Sequence, residues 1–164
     1  MTTIEHSIFG AIDPSKPGVW EATAPYERRN VVYELVIDEE GLETDAVVDA
    51  LRLADDLPSL DATGREAIRA DSSNSESAAS LYAEHHFEEL PEDRVRDLLG
   101  GPEPSTASPT DLLAKLAIVR VAFHPESQDA RVRLDYSLAG EVTDYVLCVT
   151  IDAEGVVSSV EMES

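Results

Sequence analysis

The last third of the chain constrains the fold most, because it alternates apolar and polar residues through four successive stretches. These are AIVRVAFH, ARVRLDYS, TDYVLCVTID and GVVSSVEM. Successive side chains on a strand point to opposite faces. Val119, Val121 and Phe123 are therefore expected on one face, with Val132, Leu134 and Tyr136 beside them. Tyr145, Leu147, Val149 and Ile151 follow, then Val156, Val160 and Met162. Arg120, Arg131, Arg133, Asp135, Thr150 and Asp152 fall on the opposite face. One apolar face and one wetter face describe an antiparallel sheet packed on one side only.

The start of the chain repeats the pattern. In RNVVYELVID, Val31, Tyr33, Leu35 and Ile37 share a face, and EHSIFG and GVWEAT are shorter strand candidates separated by the turn-forming DPSKPG. The single Trp20 is expected as a core anchor.

Between these ends the spacing turns helical. Thr44 is placed to cap a helix bearing Asp45 in its first turn and Val47, Val48, Leu51 and Ala54 on its apolar stripe. Pro58 is expected to end it. A second helix holds Leu60, Ala67 and Ile68, with Gly64 as a weak point worth about 1 kcal/mol against Ala. Ser73 and Glu76 have the spacing of a capping box, ahead of a helix with Ala78, Leu81, Tyr82, His85 and Leu90 on one stripe. PEDRVRDLL runs from Pro91 to Gly100-Gly101, GGPEPSTAS reads as a linker, and SPTDLLAKL opens a last helix at Ser108 and Pro109. The expected fold is α+β, one domain over residues 1–164. Strands at 1–40 and antiparallel strands at 117–164 form a sheet or sheets packed against a central group of helices at 44–116. A chain of this length buries a core large enough to need no staples.

With one cysteine, Cys148, no internal disulfide can form. MTTIEHSIFG has neither a basic start nor a long apolar run, so a cytoplasmic protein without a membrane partner is expected. The unusual number is the charge: 34 acidic residues against 12 basic, a net of −22. Spread evenly over roughly 8,000 Å² of surface, the excess charges lie about 19 Å apart, beyond a Debye length of about 8 Å. Clustered, they create a field. Such a surface disfavours nucleic acid and anionic membranes as partners, so no nucleic acid is expected, and it favours a basic protein. It also serves plain solubility, or a generally acidic, salt-adapted proteome.

Catalytic chemistry has little to stand on. His85 and His86 are adjacent, with Glu84, Glu88 and Glu89 close by, yet neighbours on a helix point about 100° apart, whereas a metal-binding pair needs i and i+4. A metal site would combine His85 or His86 with Glu89 and recruit His124 from elsewhere. Cys148 lies in an apolar strand short of positive charge, the wrong setting for a reactive thiolate. Ser137 lacks the turn that exposes a nucleophile, and there is no phosphate-binding glycine loop. Ile37–Gly41 and Ile151–Gly155 echo one another as acidic hairpin turns and lack the ligand spacing of a calcium loop. No cofactor is called for.

The segment Arg65–Ile68, Tyr82–His86, Leu134-Asp135-Tyr136-Ser137, Thr143-Asp144, the turn Asp152–Gly155 and the terminal Glu163-Ser164 form an ordered series over roughly residues 60–164. In that series the chain resembles the uncharacterised bacterial family of domain of unknown function number two thousand and four. The resemblance implies a bacterial α+β protein and carries no activity. The expectation for function is a non-catalytic protein-binding module, in its concrete form an immunity-type inhibitor of a basic toxin. The alternative is a metal-binding protein or metal-dependent hydrolase using His85 or His86 and nearby acids. An open sheet edge leaves room for a homo-oligomer.

Overall fold

The alternating stretches from both ends of the chain meet in a single sheet. The computed structural model describes residues 3–38, 43–100, 108–138 and 143–164. Its main sheet has six strands: β3 (Gly18–Tyr26), β4 (Arg29–Ile37), β5 (Ala117–Phe123), β6 (Val132–Ser137), β7 (Val146–Ile151) and β8 (Val157–Glu163), in that spatial order. A separate antiparallel hairpin, β1 (Ile4–His6) and β2 (Gly10–Ile12), precedes it.

Among the described residues, five helices separate β4 from β5: α1 (Thr44–Ala54), α2 (Leu57–Asp71), α3 (Ala78–Glu89), α4 (Glu92–Leu99) and α5 (Pro109–Leu113). That long connection returns the chain in the same direction, so β4 and β5 pair in parallel, with Tyr33 beside Val121. The other neighbours are antiparallel. The expectation of purely antiparallel strands is corrected in this one pair: the α+β fold is built on a mixed sheet. Among the described residues, no helix is long and apolar enough to cross a membrane.

The core lies between the helices and one face of this sheet. Tyr33, Leu35, Val121, Phe123, Leu134, Tyr136 and Leu147 are buried there as their alternation predicts. Two bulges adjust the pattern. In β5 the register slips between Ile118 and Arg120, so Ile118 is buried and Val119 only partly so. In β8 the slip places Val157 opposite Ile151, and Val157 and Val160 pack on the core while Val156 is exposed. Trp20 is half-buried against the core from the edge strand β3.

The helix boundaries differ from expectation where several polar residues compete for the cap. Glu43, not Thr44, holds the cap position of α1, with no side-chain hydrogen bond. Pro58 falls in the first turn of α2, where a missing N–H costs nothing, and so starts that helix rather than ending α1. The Ser73–Glu76 box is not formed. Ser73 Oγ donates to the Ala70 carbonyl at the end of α2, and Ser77 caps α3 by accepting from Ser80 N. The stripe of α3 therefore rotates to Ala79, Tyr82, Ala83 and His86, leaving Leu81 exposed. Pro91, Gly100 at φ 77°, and Ser108 as the cap of α5 stand as expected, and Ser108 also forms a reciprocal capping box with Asp111. Residues 101–107 of the linker, and Glu39 to Gly41 of the first acidic turn, lie outside the described residues. In the second turn Asp152 Oδ1 accepts from the N–H groups of Glu154 and Val156, closing a hairpin.

Candidate functional site

Of the histidines singled out in the sequence, His85 and His86 keep ring contact, with centroids 5.1 Å apart, and His124 lies on a different element. His86 is buried on α3: its Nδ1 lies 2.7 Å from the Tyr82 carbonyl and its Nε2 2.8 Å from Thr143 Oγ1. A carbonyl only accepts, so Nδ1 carries the proton and Nε2 accepts from the threonine. Burial depresses the pKa of His86, with the charge of His85 adding to the effect, and the neutral ring matches this arrangement. His85 packs edge-on against Tyr145, with centroids 4.8 Å apart, while Glu84, Glu88 and Glu89 are exposed on the same helix. His124 is half-buried just beyond β5, and its pKa is also depressed by burial.

Among the described residues, one set of three metal-capable donors closes to within 4.8 Å: Asp135, Cys148 and Glu163. It includes none of His85, His86, Glu89 or His124. The set lies on the sheet face away from the helices, and a cation of the chain already occupies it. Arg133 Nη2 is 3.2 Å from Cys148 Sγ and 3.0 and 3.1 Å from the two oxygens of Glu163. Burial pushes the Cys148 thiol up to about 11 and raises Asp135 as well, so neither favours the anionic form a metal needs. Arg120 pairs with Glu34 on the same face. The chemistry here is that of closed ion pairs on a sheet.

The most elaborate polar arrangement centres on Asp61, which the sequence reading did not single out. It lies in the apolar stripe of α2 with Leu57, Leu60, Gly64 and Ile68 and is 4% exposed. Its carboxylate accepts from Tyr26 Oη at 2.9 Å and Tyr136 Oη at 2.8 Å, and pairs with Arg65 Nε at 3.1 Å. Arg65 Nη1 donates to the Leu116 carbonyl at 2.9 Å, and its guanidinium carbon lies 5.7 Å from the centre of the Tyr136 ring. Burial, reinforced by the adjacent carboxylate, raises both phenols, Tyr26 to about 12 and Tyr136 further. Gly64 makes the approach of Tyr136 possible: a Cβ there would lie 2.2 Å from Tyr136 Oη. A carboxylate at an apolar position of the helix, followed four residues later by arginine, is the one sequence signal that could have marked it.

Beside this network, α2 and α5 enclose a cavity of about 270 Å³. Ile68, Leu113, Ala114 and Leu116 form its apolar wall, and Tyr136, Arg65, Arg69, Ser72 and Thr110 also line it.

The charge surplus gathers on the helical layer. Residues 43–100 hold 15 acids and 5 arginines. Of those arginines, Arg52, Arg65 and Arg69 each pair with an acid in their own helix. Glu84, Glu88, Glu89, Glu92, Asp93 and Asp97 form an exposed run along α3 and α4.

No protein-family model, curated protein or solved structure matches the chain.

Proposed function

We propose that the chain is a non-catalytic protein-binding module whose acidic helical layer meets a basic protein in the bacterial cytoplasm. Its most concrete form is an immunity-type inhibitor of a basic toxin. The exposed run from Glu84 to Asp97 is the observation that carries this reading. Acids one helical turn apart lie about 5–6 Å from each other, inside a Debye length of about 8 Å, so their fields add. A summed field of this kind steers a cationic partner and excludes anionic ones. Kinship with the domain-of-unknown-function family over residues 60–164 belongs to the same proposal.

The metal-dependent alternative has weaker support, since both ring nitrogens of His86 are engaged within the protein. A second copy would add at a sheet edge, β3 or β8. Pro25 on β3 and the glutamates Glu161 and Glu163 on β8 discourage that pairing.

The test is affinity capture from the native cell, comparing the wild type with Glu88→Lys/Glu92→Lys across rising salt. The proposal expects a basic protein that the wild type holds at low salt and releases as salt rises, and that the charge-reversed form does not hold. Equal recovery by both forms, or retention insensitive to salt, refutes it.

A further inference from the structure

The cavity between α2 and α5 differs in charge from the rest of the surface. Three other clefts each carry two acids and no cation: Glu66 and Asp71 in one, Glu84 and Glu88 in the second, Asp56 and Asp152 in the third. The α2–α5 cavity has the reverse, two arginines and no acid on its wall. In a chain with 34 acids and 12 bases this is the least expected composition for a hollow.

Arg65 supplies the second observation. Two sides of its guanidinium are fixed, Nε by Asp61 and Nη1 by the Leu116 carbonyl. Nη2 makes no hydrogen bond among the described residues, and the side chain is 38% exposed. A guanidinium held this way has little freedom left to lose on binding, so an acceptor arriving at the free nitrogen gains a charge-assisted bond at small entropic cost. Asp61 offsets part of the guanidinium charge through Nε but leaves Nη2 open to an acceptor.

We propose that this cavity is a binding site for a small organic carboxylate with an apolar body. Its carboxylate meets Arg65 Nη2 and its hydrocarbon part packs on Ile68, Leu113 and Leu116. At about 270 Å³ the space falls just below the roughly 300–1,000 Å³ of sites for drug-sized ligands, which sets the scale of the ligand. A phosphate is a poorer match: it requires several converging donors, whereas most of this wall is hydrocarbon. Arg69 lies one helical turn from Arg65 at the rim, where it adds attraction for an anion although it pairs with Glu66. This site does not depend on the exposed acidic run from Glu84 to Asp97.

The experiment is a two-dimensional amide NMR titration of the full chain with hexanoate and, separately, with hexanol. Hexanoate is expected to shift the amides of Ile68, Leu113 and Ala114 saturably by low millimolar concentration. Hexanol is expected to bind at least about tenfold more weakly, the loss expected for one charge-assisted hydrogen bond. Ala114→Trp fills the cavity from an exposed position outside the Asp61 network. It should keep the folded spectrum and weaken hexanoate by a similar factor. Absence of saturable shifts, equal binding of hexanol, or undiminished binding to folded Ala114→Trp each overturns the proposal. If Ala114→Trp fails to fold, the comparison of hexanoate with hexanol on the wild type decides alone.

Discussion

Gly64→Ala sets local preference directly against tertiary packing. In an exposed helix the change stabilises by about 1 kcal/mol, because alanine loses less backbone freedom. In α2 the new methyl would lie 2.2 Å from Tyr136 Oη and 2.9 Å from both Tyr136 Cζ and Leu134 Cδ1. Tyr136 and Leu134 are both fully buried, and the phenol is bonded to Asp61, so neither can yield without loss. Displacing a hydrogen bond to a charged acceptor costs about 1.5–3 kcal/mol, and overpacking a core costs about 1–3 kcal/mol. Against the gain in helix preference, the net is a destabilisation of about 1.5–5 kcal/mol. Urea unfolding followed by far-UV circular dichroism measures it. Tyr136→Phe removes the hydroxyl the methyl strikes, so the double variant should be more stable than the two single losses added together, by about 1 kcal/mol. A Gly64→Ala protein as stable as the wild type, or more so, refutes the reasoning.

Asp61→Ala removes the carboxylate shared by the part-buried Tyr26 phenol, the buried Tyr136 phenol and Arg65, leaving Tyr136 Oη the main-chain carbonyl of residue 61 and Arg65 the Leu116 carbonyl; it should cost about 2–3 kcal/mol in the same unfolding assay, and a loss within error contradicts the network. Burial holds His86 and His124 below the usual imidazole value, so the unfolded chain takes up protons first. Stability from these rings is therefore complete above pH of about 6.5 and falls as the pH drops below it; a urea midpoint unchanged between pH 7.5 and about 5 would contradict this. Cys148 is fully buried with its thiol raised to about 11, so a thiol reagent at pH near 8 should label it only after unfolding; rapid labelling of the native chain would contradict its placement.

The elements of the chain were legible because their signals are local. Alternation marked Val132, Leu134 and Tyr136 as one face, and Ser108-Pro109 marked the start of α5, since each depends on neighbours a few residues away. Legibility failed where several polar residues compete for one role. Among Ser73, Asn74, Ser75 and Ser77, any could cap a helix in isolation, and the packing of Ala79, Tyr82 and His86 against the sheet selected Ser77. His85 and His86 were conspicuous as a pair, but only the fold could show that one ring is enclosed and satisfied while the other packs edge-on against Tyr145.

Asp61 marks the boundary between the two kinds of information. The sequence by itself determined that a helix carries Leu60, Ala67 and Ile68, that alternating strands flank the helices, and that acids outnumber bases. Only the tertiary structure decided that Tyr26, from a strand 35 residues earlier, and Tyr136, from one 75 residues later, converge on the Asp61 carboxylate. It likewise decided that β4 lies parallel to β5, with Glu34 beside Arg120 across 86 residues of chain. The reason is that periodicity and capping act over a single helical turn or strand pair. Satisfying a buried charge and closing a sheet are conditions on the whole chain, met only when its distant parts are packed together.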